Sequence, residues 1–444
     1  MATSAKKTAK SAKTAKLTAI QAPKGMHDIL PEDAWYWEKV EQAVKDTASF
    51  YGFDRIQTPI LENVDLFIRS VGEATDIVEK EMYVLKTRGG DHLALRPEMT
   101  APVMRAYIER GLSRVSQPLK VYYFGPAFRH ENPQAGRYRE FYQMGFETIG
   151  GESDPIYDAE VIVAGSRFLE SLKIKNLAIQ VNSIGCKVCR PNYRKKLQEF
   201  YRKETAVAKK TKVVCKDCER RLETNPLRLL DCKNDLCVSL KAQAPSILDN
   251  LCFACRQHLK GVLEYLDEVN LPYSLNPYLV RGLDYYSRTV FEIFSDQSDL
   301  ALMGGGRYDY LGEVLSGKPI PAVGVAAGIE RIIEVVKTNN LLPSRKPTDK
   351  VFVIHVGDLA KKKAFALIEQ FRRENIRVSA ALGKDSLQAQ LKAADKEAAP
   401  LSVIIGQKEV YEESVIIRDM KTGSQETVPL KKINDTLKEK LKKQ

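Results

Sequence analysis

Val121–Gly150 reads VYYFGPAFRHENPQAGRYREFYQMGFETIG: a strand, an exposed loop and a second strand. Val121–Phe124 is β-branched and aromatic, and Gly125-Pro126 breaks the run. Glu131–Arg139 is polar, with turn signals at Asn132-Pro133 and Ala135-Gly136. From Glu140 the pattern alternates, so Tyr142, Met144 and Phe146 share one face and Phe141, Gln143, Gly145 and Glu147 the other. A face carrying glutamine, glycine and glutamate looks at something polar, and Gly145 leaves room for a ligand near the backbone. Arg129 would stand over the same face. Two readings are open. One is an antiparallel sheet with an ordinary wet face. The other is a platform with a guanidinium for phosphate and a carboxylate for a cationic or hydrogen-bonding group.

Upstream, Gln21–Asp33 leads through Pro31-Glu32-Asp33 into a helix over about Ala34–Tyr51, ended by Gly52. Phe53–Glu62 then reads as a strand, with Pro59 suited to an edge or an interface. Met82–Leu85 and Leu93–Leu95 form a hairpin across Arg88–Asp91. Leu95-Arg96-Pro97-Glu98-Met99-Thr100 leads into a helix from about Ala101 to Arg110. Glu98 and Thr100 either face a pocket from this junction or only favour the helix start.

Downstream, a helix over Asp158–Leu172 and a strand over Leu177–Asn182 precede a region, about 183–271, that holds all eight cysteines among Lys/Arg-rich helices. It reads as an inserted module. The strand-rich pattern resumes with Tyr278–Tyr286 (YLVRGLDYY), Thr289–Phe294 and Ala301–Asp309 (ALMGGGRYD). Ala322–Val336 is a small-residue strand running into a helix that carries Arg331. The small residues there suit close helix packing or close approach of a nucleotide. Residues 341–349, with Pro343 and Pro347, form a linker, and 350–444 alternates strand and helix as a small α/β unit.

In order, these segments resemble the class II aminoacyl-tRNA synthetases, specifically the histidyl-tRNA synthetases. Helix followed by the Pro59 strand is similar to class motif 1, which implies a homodimer interface. Phe128-Arg129-His130-Glu131, Gly136–Phe141, Gln143 and Glu147 resemble motif 2, and Gly324–Arg331 resembles motif 3. Arg281-Gly282-Leu283-Asp284-Tyr285-Tyr286 and Gly304–Asp309 resemble the two histidine-specific motifs. Met99 stands where the family usually has glycine. The resemblance implies an α+β fold: a class II catalytic domain (21–182 and 272–340) with a mixed, mainly antiparallel sheet, the helical Cys-rich insertion, and a C-terminal α/β anticodon-binding domain. It implies ATP and L-histidine as substrates, with histidine transferred to tRNA(His). Arg129 would contact the α-phosphate region, Arg281 would stabilise charge there, and Arg331 would hold the γ-phosphate. Glu98 and Thr100 would take the amino acid's ammonium group. Gln143, Glu147, Tyr285, Tyr286 and Tyr308 would form the histidine pocket, with Glu147 and Tyr286 each serving one imidazole nitrogen. Gln134, Arg137 and Arg139 lie on the loop that would meet tRNA. Mg²⁺ follows from ATP use rather than from a visible ligand cluster. The regulatory subunit of ATP phosphoribosyltransferase shares the catalytic fold, but it lacks the anticodon domain and typically has a degraded form of the Arg281–Tyr286 motif.

The formal net charge of +12 favours a polyanionic partner. Residues 1–20, with five lysines and no acid, read as a disordered basic tail, an organelle transit peptide being the other reading. No run approaches the roughly 18 apolar residues of a membrane span, and a cytoplasmic protein is expected. The cysteines are then reduced thiols or metal ligands. Cys186, Cys189, Cys215 and Cys218 have spacing for one structural zinc site, with Cys232, Cys237, Cys252 and Cys255 for another; an insertion that keeps plain thiols is the alternative. The five histidines form no ligand spacing with carboxylates.

Overall fold

The computed structural model describes residues 20–73, 75–134, 136–207, 213–342 and 350–442. The tail therefore lies outside the described residues except for Ile20, as does most of the linker. The chain divides into two compact units, Met1–Leu342 and Pro343–Gln444.

The first unit is organised by one sheet of eight described strands. Their order is Asp54–Arg55, Leu119–Phe128, Glu140–Ile149, Ala322–Gly328, Ser298–Arg307, Ser287–Ser295, Leu177–Ser183 and Tyr273–Leu275. The two outermost pairs are parallel and the five between them antiparallel. The hairpin read from Val121–Gly150 is its centre, with Tyr123 opposite Gly145 and Gly125 opposite Gln143.

Side chains alternate across the pleat, so each central strand presents one set to each face. Met144, Phe146, Val325, Met303, Phe291 and Ile293 are buried in the main core. The helix Pro155–Ser171 covers that face, and its Gly165 lets Met303 come close. The opposite set, Gln143, Gly145, Glu147, Gly324, Ala326, Gly304 and Glu292, falls into register across four strands. This is the floor of the site.

Pro31–Tyr51 is a helix because Pro31 presets its first turn, Glu32 and Asp33 favour its positive end, and Gly52 closes it at φ +73°. The ten-residue strand expected over Phe53–Glu62 is not continuous. Asp54–Arg55 pairs with the main sheet, whereas Leu61–Asn63 joins a separate three-stranded sheet with Tyr83–Lys86 and His92–Leu95. Between them, the buried Arg96 guanidinium takes the carbonyls of Thr58, Pro59 and Pro126 at 2.8–3.2 Å. A side-chain fork thus replaces strand pairing where Pro59 offers no donor.

The inserted region runs through helices Arg190–Val207, Lys216–Thr224 and Asp235–Lys241 and returns along Phe253–Glu268. Tyr193, Leu197, Tyr201, Leu227, Leu229 and Leu240 belong to the same hydrophobic core as the sheet.

The second unit has a five-stranded sheet in the order Val378–Ala380, Val351–His355, Leu401–Ile405, Ser414–Asp419, Gln425–Pro429. The first three strands are parallel and the last two antiparallel. Val351–His355 and Leu401–Ile405 are buried on both faces, which accounts for their unbroken apolar runs. The hairpin Ser414–Pro429 and the helix Ile433–Lys442 extend the unit beyond the elements read from sequence.

Candidate active site

Three arginines from separate segments meet at one cavity of about 200 Å³, lined by Arg129, Arg281 and Arg331 together with Gln143, Glu292 and Gly304. Arg129 follows the first strand of the central hairpin. Its Nε donates to the Pro97 carbonyl at 2.9 Å, and its guanidinium lies 5.3 Å from the Phe141 ring centre. Arg281 leaves the loop before Ser287–Ser295 and pairs with Glu292. Arg331 sits in the first turn of Ile329–Thr338, with Nε donating to the Gly136 carbonyl at 2.8 Å. Burial and the neighbouring Arg137 both lower its pKa. The crowding of like charge is a cost that a bound polyanion relieves.

Gly304 makes room for this arrangement. A Cβ there would lie 2.5–2.6 Å from the Arg281 guanidinium. Gly324 does the same for Glu147, whose Oε2 would be 1.5 Å from an added Cβ. Two polar atoms facing the cavity region, Arg281 Nε and Gln143 Oε1, are buried with no partner. Such atoms are costly unless a ligand meets them.

Beside the cavity lies a closed polar cluster. Glu147, almost fully buried, accepts hydrogen bonds from Thr100 Oγ1 at 2.7 Å, Tyr308 at 2.6 Å and Tyr123 at 3.3 Å. Burial pushes its carboxyl up to about 8, against the pull of those hydroxyl donors. Glu98 accepts the backbone N–H of Thr100 and of Ala101, each at 2.8 Å, so it caps the helix Thr100–Glu109 while the Tyr285 hydroxyl reaches it at 3.4 Å. Glu98 therefore caps the helix start and also joins the cluster. Tyr285 bridges to Tyr308 and Tyr286, with ring centres 5.6 and 4.6 Å away.

Of the expected residues, Arg129, Gln143, Arg281, Arg331 and Arg137 line the cavity. Glu98, Thr100, Glu147, Tyr285 and Tyr308 share the hydrogen-bonded cluster, with Tyr286 packed at its edge. Tyr308 donates to Glu147 because it follows directly on the strand whose Gly306 stands opposite Gly324 and, one strand further, Glu147. Gln134 and Arg139 lie outside the cavity. Gln134 and Arg137 pair through their backbones, and Arg139 is tied to the Gly25 carbonyl at 2.8 Å.

Sequence reasoning missed Tyr123, Glu292, Glu330 and Glu131. Tyr123 and Glu292 are visible only as alternate positions in strands, with no motif to single them out. Glu330 lines the cavity, donates nothing, and accepts the Tyr142 N–H at 2.7 Å. A larger cleft of about 610 Å³, lined by Trp37, Tyr142 and Ile333 among others, holds no converging cations.

The cysteines group differently from the expectation. Cys186 and Cys189 come together with Cys252 and Cys255, and Cys215 and Cys218 with Cys232 and Cys237. The sequence distance between the CxxC pairs misled the reading: the chain leaves and re-enters the sheet side by side, so the first pair meets the last.

A mixed, mainly antiparallel sheet with a glycine floor, three convergent arginines and a buried carboxylate cluster defines a class II aminoacyl-tRNA synthetase core. The family model described as Histidyl-tRNA synthetase matches residues 25–332, and that described as Anticodon binding domain matches 350–440. The histidine–tRNA ligase of Caldicellulosiruptor bescii is 42% identical over 96% of this chain and 100% of its own. That of Dehalococcoides mccartyi is 44% identical over 95% and 100%. The crystal structure of apo Staphylococcus aureus histidyl-tRNA synthetase, 33% identical, superposes with a TM-score of 0.78 over 95% of this chain and 100% of that one. The chain belongs to the histidyl-tRNA synthetase family.

Proposed function

We propose that this protein is a histidine–tRNA ligase. A carboxylate oxygen of L-histidine attacks the α-phosphorus of ATP, the bond to the β-phosphate oxygen breaks, and pyrophosphate leaves. The terminal ribose hydroxyl of tRNA(His) then attacks the carbonyl of histidyl-adenylate, and AMP leaves. The single observation that carries the reading is the convergence of Arg129, Arg281 and Arg331 on one cavity beside the Glu147 cluster. Such chemistry needs alignment and charge neutralisation more than proton transfer, and fixed guanidinium forks supply both.

In this reading Arg129 and Arg281 meet the α-phosphate and Arg331 the γ-phosphate. Glu98 and Thr100 take the ammonium group, while Glu147, Tyr308, Tyr285 and Tyr286 enclose the imidazole, with Gln143 at the mouth. Glu131, Glu292 and Glu330 line the cavity without forming a ligand cluster among the described residues, so Mg²⁺ would be held there chiefly by the ATP phosphates. Bound there with ATP, Mg²⁺ would neutralise phosphate charge. Structural zinc in the cysteine quartets would have no part in the chemistry.

The loop carrying Gln134, Arg137 and Arg139 would receive the acceptor end of the tRNA. Exposed Leu61 and Leu85, on one face of the three-stranded sheet, support a homodimer that covers them. Eight cysteines without a disulfide suit the cytoplasm; among the described residues no helix is long and apolar enough to cross a membrane. The deciding experiment is radiolabelled ATP–pyrophosphate exchange across the amino acids. Histidine alone should stimulate it, and stimulation by another amino acid instead would overturn the assignment.

A further inference from the structure

Cys186 and Cys189 follow directly on the strand Leu177–Ser183, where the chain leaves the catalytic sheet. Cys252 and Cys255 open the helix Phe253–Glu268, which brings it back. The Sγ pairs Cys186–Cys189, Cys186–Cys252 and Cys189–Cys255 are each 3.8 Å apart, as is Cys215–Cys232 in the second quartet. Within each quartet all four sulfurs lie within 4.8 Å of one another. Four thiolates at about 2.3 Å from one zinc ion form a tetrahedron with edges of about 3.8 Å. A disulfide would need about 2.05 Å, and a multi-iron cluster would hold its ligands farther apart.

Thiols packed as plain hydrophobes have no use for amide donors, yet donors are aimed at these sulfurs. Cys186 N–H points to Cys189 Sγ at 3.2 Å, Val188 N–H to Cys186 Sγ at 3.4 Å, and Cys215 N–H to Cys237 Sγ at 3.3 Å. Such donors stabilise thiolate charge. Gly185, at φ +68°, admits Cys189 Sγ to a place only 2.7 Å from where a Cβ would stand.

Side chains next to each quartet in the chain also grip the segment 281–286. Next to Cys189, Arg190 donates to the carbonyls of Ile184 and Gly185 at 3.1 Å and to that of Tyr286 at 2.7 Å. From the other quartet's subregion, Asn225 Nδ2 donates to Asp284 Oδ1 at 2.8 Å and Arg228 to the Arg281 carbonyl at 3.4 Å. We infer that each quartet holds one zinc ion and that together they make the inserted module a two-metal clamp, one ion fixing Arg190 behind Tyr286 and the other fixing Asn225 and Arg228 on Asp284 and Arg281. The clamp's consequence for histidine rests on the function proposed above; the zinc sites themselves do not.

The test uses the full chain purified without chelator. Elemental analysis should find two zinc ions per chain, and Cys186→Ser/Cys189→Ser should find one. Fewer than two zinc ions in the parent, or eight fast-reacting thiols in the native protein, would overturn the sites. Arg190→Ala touches no ligand. It should keep both ions while raising KM for histidine in pyrophosphate exchange about ten-fold, with KM for ATP held within about two-fold. An unchanged KM for histidine, with both ions bound, would overturn the clamp. Exchange driven by a different amino acid would overturn the histidine reading and leave the zinc count standing.

Discussion

The Tyr308 hydroxyl donates to Glu147 Oε2 at 2.6 Å across a junction of three strands, and both residues are almost wholly buried. Burial lifts the Glu147 carboxyl to about 8, so its folded-state pKa lies above the unfolded value. Ionising it in the fold costs free energy, and stability falls as pH rises from about 4.5 through about 8. Glu147→Gln keeps the shape and removes the charge. Thermal melts of parent and variant should therefore diverge over that window, the variant gaining by up to several kcal/mol at pH 9. Histidine binding should suffer in the same variant, with KM for histidine up at least about ten-fold and KM for ATP little changed.

Arg281 pairs with Glu292 over Gly304, at the wall shared by the cavity and the tyrosines. If it stabilises charge at the α-phosphate, Arg281→Ala should reduce histidine-dependent pyrophosphate exchange by roughly 10²–10³-fold with the fold intact. Arg281→Lys should recover only part of this, since an ammonium cannot present a planar fork. Near-normal exchange in the alanine variant would remove the role.

Asp158 and Arg307 form a buried ion pair that anchors the strand leading to Tyr308. Arg307 also reaches Ser153 and Asp309 at 3.1 Å and the Asp154 carbonyl at 2.9 Å. Burial pushes the Asp158 carboxyl up, but Arg307 and His258 outweigh it and hold it at about 2. Its contribution is present above the ordinary carboxylate range and is lost as pH falls from about 3.8 toward 2. Asp158→Asn should cost about 2–3 kcal/mol at neutral pH by removing one of the two carboxylates that hold Arg307, with Asp309 still paired to it, and urea melts should show the deficit shrinking near pH 2. A deficit that does not change with pH would assign the effect to packing.

Much of this site is legible in the chain because its parts are local. Arg129, Gln143 and Glu147 sit on one hairpin whose alternation announces which side chains share a face. Glu98 and Thr100 sit at a strand-to-helix junction with a visible cap. What is not legible depends on register between distant strands. Nothing local tells that Tyr308 reaches Glu147, because the contact passes through Gly306, Gly324 and Glu147 on three strands. Phe53–Glu62 has the composition of one strand, yet Arg96, more than thirty residues later, takes the carbonyls in its middle. The cysteine quartets failed for the same reason, since which CxxC meets which is set by where the insertion begins and ends.

Gly304 and Gly305 are neighbours on one strand, and the pleat gives them opposite environments. The nearest atoms to a Cβ at Gly304 would be those of the Arg281 guanidinium, the far end of a long side chain. A Cβ at Gly305 would lie 2.1 Å from the Gly324 carbonyl oxygen and 2.8 Å from the Phe291 ring, neither of which can step aside without moving the sheet. Gly304→Ala should therefore melt within about 1 kcal/mol of the parent while displacing Arg281, cutting pyrophosphate exchange by roughly 10–100-fold. Gly305→Ala should lose at least about 2 kcal/mol of stability by overpacking. Denaturant melts read beside exchange rates separate the two outcomes. If both variants lose stability alike, the site face is not the open floor that this register implies, and Arg281 has lost the space in which it is said to work.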